Sequence, residues 1–194
     1  KPFLKIIEDI LVACEDEDHM VRVQATGCIG NLCKAQWLYL HSLMKSPVDG
    51  RNSGSTPPHV RIIEMLLEKC NDKVGTVKTA AQRALGEGVI NCALILDDHR
   101  ACMGTHGSNL VTDILEVTSR GCKDTKLAVR LQAVWALGNL ILACIPYRHS
   151  KNVSLDNASR CNGYISDELW VKAYEDCKIL STQDSDKILP SSAR

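Results

Sequence analysis

The stretch VRLQAVWALGNL, Val129 to Leu140, decides how the chain is read. Val129, Ala133, Ala136, Leu137 and Leu140 recur at helical spacing and form one apolar stripe. Gly138 lies beside that stripe, in what otherwise reads as helix interior, where glycine costs about 1 kcal/mol against alanine. The same cost is met twice more. VRVQATGCIGNL spans 21–32 with Val, Arg, Gln, Ala, Gly, Asn and Leu in the same register, and VKTAAQRALGEG spans 77–88 more loosely. Gly30 and Gly86 fall at the position of Gly138. A glycine at one fixed place of a repeated helix points to a neighbouring helix passing too close for a side chain, rather than to a local kink at a helix end.

Each copy follows an acidic turn at Asp18, Asp72 or Asp124. A fourth turn at Asp186 lies within DSDKILPSSAR, which aligns Leu189 with the valine and Ala193 with the alanine four residues on. An amphipathic first helix precedes each turn: Pro2 to Cys14, Pro58 to Cys70, Ser108 to Gly121 and Ser166 to Leu180. Pro2 and Pro58 suit a first helical turn, where the missing N–H has no intrahelical bond to lose. Ser166 ahead of Asp167 and Glu168 suits a helix cap.

The expected fold is all-α, about three and a half helical pairs in units near 1–44, 58–99, 107–145 and 165–194. Copies are spaced by about 52 to 60 residues, more than the roughly 40–47 of simple helical-pair repeats. The surplus sits in linkers 45–57 and 146–164, rich in Ser, Asn, Gly and Pro. Limited proteolysis is expected to cut there first. Ile188 and Leu189 open a helix that Arg194 leaves incomplete, so the chain reads as a segment of a larger solenoid, with further repeats of the same polypeptide beside it.

Composition narrows the function. Lys+Arg and Asp+Glu are both 23 in 194 residues, so the formal charge is zero, without the basic excess of a phosphate-binding surface. Phe3 is the sole phenylalanine, and the core must come from Leu, Ile, Val, Ala and Cys. Of ten cysteines, Cys14, Cys28, Cys70, Cys92, Cys122, Cys144 and Cys177 sit in or at the end of apolar helical runs, as small hydrophobes rather than a disulfide framework. No signal peptide and no apolar run near 18 residues is seen, which points to an intracellular protein, cytoplasmic or nuclear. Asn152 and Asn157 match the glycosylation acceptor pattern, which has no meaning in a reducing compartment.

Arg22, Lys78 and Arg130 follow the repeat valine, in a first helical turn that disfavours cations. Each is expected to pair with Asp18, Asp72 or Asp124, within its unit or in the adjacent one. As exposed pairs these would contribute about 0–1 kcal/mol each.

The acidic turn, Val-Arg, the alanine four residues later and the leading proline together resemble HEAT repeats over nearly the whole chain. KTAAQRALG, then VRLQAVWALGNL, then DSDK is more narrowly similar to the C-terminal repeats of the HEAT repeat-containing protein 6 family. Gly86-Glu87-Gly88 departs from the expected Gly-Asn-Leu, and Pro190 replaces the arginine of the fourth copy. The resemblance implies a right-handed α–α superhelix and a non-enzymatic helical scaffold.

No catalytic constellation emerges. The six histidines are scattered, with His41 alone on a helix and none at a repeat position. His99, Cys102 and His106 could share a metal but supply three ligands where structural zinc takes four, and the stretch reads as an inter-repeat loop. No cofactor is expected. Tyr147, Arg148 and Trp170 are residue types enriched at interfaces and are the candidate partner contacts. Trp135 is expected to be mostly buried between units, and Trp37-Leu38-Tyr39-Leu40 to extend the first unit's second helix as core. These features point to a scaffold binding other proteins through its helical surface and long linkers, with a karyopherin-like carrier or RNA-associated adaptor as the rival.

Overall fold

The computed structural model describes residues 2–43, 56–96 and 110–149, the side chains of 92–96 and 144–149 excepted. Among these residues there are seven helices and no strand. First helices are α1 (Pro2–Ala13), α4 (Pro58–Lys69) and α6 (Leu110–Gly121). Second helices are α2 (His19–Gly30), α5 (Gly75–Leu96) and α7 (Leu127–His149), with α3 (Lys34–Ser42) following α2. The second helices stack on one another, α5 packing most extensively against α7 and α2, while α4 packs against α6.

Local chemistry sets the helix starts. Pro58 occupies the first turn of α4. Asp18 caps α2, its Oδ1 accepting from Met20 N–H at 2.8 Å. Asp16, Asp72 and Asp124 share another register place and close their turns by accepting from Asp18 N–H at 2.8 Å, Val74 N–H at 2.7 Å and Lys126 N–H at 2.9 Å.

Packing then follows the repeat register. The alanines four residues past the valine (Ala25, Ala81, Ala133) and the apolar residues four further on (Ile29, Leu85, Leu137) are all buried. Val129, Ala136 and Leu140 complete a wholly buried stripe on α7. Gly27 is different: nothing lies within 4 Å of the Cβ it lacks. Gly27→Ala is therefore expected to raise unfolding free energy by about 0.5–1 kcal/mol, read from the urea midpoint.

Two segments depart from the sequence reading. The first unit's second helix stops at Gly30, and Trp37 to Leu40 lie on the separate helix α3. The break has its own partners: Cys33 N–H donates to Gln36 Oε1 at 2.8 Å, and Asn91 Nδ2 donates to the Leu32 carbonyl at 3.2 Å. Within α3, Trp37 and Leu40 are core while Leu38 and Tyr39 are exposed, Tyr39 edge-on to Phe3 at 5.8 Å. In the third unit, α7 continues through His149, so residues 146–149, assigned to the second linker by composition, are helical. Pro146 falls in the last turn, where it forfeits the bond to the carbonyl four residues earlier and its ring crowds that carbonyl.

Candidate interaction surface

Two ladders hold the units in register and thereby fix which faces are open. The first is ionic. Arg22 reaches across to the next unit, its Nε donating to Asp72 Oδ2 at 3.0 Å and its NH2 group to Asp72 Oδ1 at 3.2 Å. Its NH1 group donates to the carbonyls of Asp16 and Glu17 at 2.8 and 2.9 Å. Lys78 repeats the step with Asp124 at 2.7 Å. The cation thus pairs with the aspartate of the following unit. Burial corrects the expected magnitude, because the Arg22 and Asp72 side chains are only 8% and 9% exposed. A pair so buried is held by its surroundings, and breaking it costs several times an exposed pair. Arg130 NH1 bonds the Asp124 and Thr125 carbonyls at 3.0 and 3.1 Å, as Arg22 bonds its own turn.

The second ladder is steric. A Cβ on Gly30 would lie 3.1 Å from Ala84 Cα, and one on Gly86 would lie 3.0 Å from Ala136 Cα and 2.5 Å from Trp135 Cζ3. Each glycine faces the alanine two positions earlier in the next unit's register. For Gly138 no described atom comes within 4 Å. At Gly30 and Gly86 a larger side chain must push neighbouring helices apart, so Gly86→Leu is expected to lose about 1–3 kcal/mol of stability. Thermal unfolding of that variant beside Gly27→Ala checks both signs.

A further ion pair has no signature in the repeat pattern. Lys69, at the end of α4, is buried and sits 2.7 Å from Glu15 of the first unit and 3.0 Å from Glu68. Burial alone would depress its pKa, but the two carboxylates outweigh that and raise it. Burial acts on Asp72 in the opposite direction and pushes it up, yet the Val74 N–H and the Arg22 guanidinium bring it below its ordinary 3.8. Asp124 is brought down by Lys78 first and then by the Lys126 N–H. Folded values below the unfolded one give stability that is present above pH about 4 and lost as pH falls through the folded values. Denaturation midpoints should hold steady from pH 7 to about 5 and drop below about 4, less steeply in Asp72→Asn and Asp124→Asn.

Buried cysteines are chemically quiet. Burial raises the Cys14 thiol to about 11 and Cys70 still further. Cys28 is exposed, against the reading of it as a core hydrophobe. It holds the register place of Ala84 and Ala136, which the preceding unit's glycine covers.

The second helices also present an apolar row to solvent. On α7 it comprises Leu127, Leu131, Trp135 and Leu142, on α5 Ile90 in the register of Leu142. Trp135 is 39% exposed rather than buried between units. Its ring edge lies over Gly86, and its register place is that of Arg83 and Gly27, both on the outer side of their helices. Comparing the three copies at this position would have found it, whereas helical periodicity within one copy did not.

Of the other candidates, Tyr147 and Arg148 lie in the last turn of α7, and their side chains are outside the described residues. Trp170, His99, Cys102, His106 and Asp186 are outside them altogether. Among the described residues no group of three or more His, Cys, Asp or Glu is placed to hold a metal ion, and no helix is long and apolar enough to cross a membrane.

Against solved structures, the chain matches an engineered protein at 14% identity with a TM-score of 0.21, over 91% of this chain and 96% of that one. No curated protein matches. The HEAT repeat family model matches residues 6–36, from the first turns of α1 through α2 into α3, and supports a HEAT-type helical repeat.

Proposed function

We propose that the chain is a non-enzymatic scaffold that binds protein partners along its second helices. The observation that carries this reading is the solvent-facing row of Leu127, Leu131, Trp135, Leu142 and Ile90, in a protein that buries its repeat leucines. Contiguous exposed apolar side chains around a tryptophan are the composition of protein interfaces. Stacked pairs give an extended surface suited to long partners rather than an enclosed pocket. HEAT repeats commonly serve this role, and the balanced charge favours a protein partner over nucleic acid. Linker 45–57, the part of 146–164 beyond α7, and Tyr147, Arg148 and Trp170 are further contact candidates within this reading. The right-handed superhelix, an intracellular setting and kinship with the HEAT repeat-containing protein 6 family belong to the same proposal, the last resting on motif order alone.

The test is affinity capture from lysate with the wild-type chain, an Ile90→Glu and Leu131→Glu double variant, and a form with both linkers shortened. Both substituted positions are exposed, so helicity should be unchanged. Loss of the same bound proteins in the double variant supports the row, and loss only on shortening moves binding to the linkers. A capture dominated by nucleic acid that dissolves steeply as salt rises overturns the protein-scaffold reading in favour of the carrier or RNA-adaptor class.

A further inference from the structure

We propose that the end face formed by α1 and α2 is a seat for one more helical pair of the same kind, whose second helix carries Arg or Lys eight residues ahead of a glycine. The inference is independent of the apolar row on α5 and α7. It rests on the chain's own stacking, which shows twice what such a face receives. At Ala84 and Ala136 the preceding unit's glycine lies against the helix, and at Asp72 and Asp124 the preceding unit's cation meets the carboxylate. Arg22 and Gly30 are eight residues apart, as are Lys78 and Gly86.

The first unit presents these same places uncovered. Cys28 stands where Ala84 and Ala136 stand and is exposed, and Val21 is exposed where Val77 and Val129 are buried. Asp16, five residues before the repeat valine as Asp72 and Asp124 are, is exposed, where the Asp72 and Asp124 side chains are only 9% and 13% exposed. Between α1 and α2 runs a groove of about 550 Å³ whose lining is mostly apolar, Ile10, Val21, Ala25 and Cys28 among it, with Asp9 and Gln24 beside them. Apolar surface in the centre, with a carboxylate at the rim, complements a helix that is apolar with a small residue in the centre and a cation at one end. A bulkier helix would meet Cys28 as a Cβ on Gly30 would meet Ala84.

The occupant is a distinct repeat unit and not a second copy of this chain. A second copy could offer this chemistry only through Arg130 and Gly138 of α7, and the sequence pattern assigns that face to the fourth unit, through the Asp186 turn.

The test appends a copy of residues 57–96, which carries Lys78 and Gly86, ahead of the full chain through a Gly/Ser linker. Alkylation of Cys28 is followed by peptide mass spectrometry, with exposed Cys33 as the internal reference. Seating is expected to slow Cys28 alkylation at least ten-fold relative to Cys33. Asp16→Asn, which keeps the turn acceptor and removes the charge, should restore several-fold of the rate, and Gly86→Leu in the appended copy should restore nearly all of it. Unchanged Cys28 reactivity on appending the unit, or equal protection by the Gly86→Leu copy, overturns the proposal. So does concentration-dependent protection of Cys28 in the unmodified chain, which would assign the face to a second copy.

Discussion

Arg22→Met is expected to destabilise the protein by about 3–5 kcal/mol, and to lower the melting temperature by roughly 6–20 °C for a chain of this size. The loss has two sources. Asp72 keeps its charge in a site 9% exposed with its bidentate partner gone, and the Asp16 and Glu17 carbonyls lose the donor that closes their turn. Leaving one member of a buried pair uncompensated is costlier than never having built the pair, so Arg22→Met with Asp72→Leu should recover much of the stability. Arg22→Lys should recover little, because one ammonium cannot span both oxygens of Asp72 and the turn carbonyls together. Lys78→Met sets the scale for a less buried rung: its side chain is 26% exposed and bonds Asp124 alone, and the expected cost is about 1–2 kcal/mol. Chemical denaturation of these variants beside the wild type measures each effect.

Trp37→Ala should cost about 3–5 kcal/mol, as for a large aromatic truncated inside a packed core. Trp37 is 1% exposed on α3, and its Cζ2 lies 3.3 Å from where a Cβ on Gly88 would be. Gly88 takes the register place that Leu32 and Leu140 hold in the other two copies, both of them buried. The indole therefore occupies space that a leucine side chain takes elsewhere. This accounts for the Gly-Glu-Gly departure of the second copy as a compensation for the short helix α3. Restoring the repeat leucine with Gly88→Leu should also destabilise the wild type, while Gly88→Leu with Trp37→Ala should lose less than the two changes summed. Additive losses in a double-mutant cycle would show that the two positions do not share this space.

The helical pairs were legible because periodicity, acidic turns and first-turn prolines are local signals that the stacked fold reinforces. The Arg-Asp rungs were legible as a pattern, but sequence left open whether each cation pairs within its unit or across, since both aspartates lie within reach of a long side chain. Their burial was not legible, because it depends on how neighbouring units pack, which also brings Lys69 close enough to act on Asp72. The break after Gly30 was hidden because Cys33 and Gln36 fit a continuing helix as well as a new start. Trp135 was misplaced for a different reason: a tryptophan beside an apolar stripe reads as core, whereas its register partners Arg83 and Gly27 mark a solvent-facing position. The exposure of Cys28 follows from stacking alone, since the same helix position is covered in the second and third units by the glycine of the unit before.

The stacked fold depends on one geometric relation, that Gly30 and Gly86 each lie against the alanine of the next second helix. Gly30→Cys combined with Ala84→Cys tests it directly. A Cβ on residue 30 would stand 3.2 Å from that of residue 84, a few tenths of an ångström inside the about 3.5–4.5 Å of a disulfide. Mild oxidation followed by peptide mapping should find residues 30 and 84 joined in most molecules, with helicity retained. If the two stay unlinked while the protein remains folded, the second helices do not stack in this register, and neither ladder exists as described.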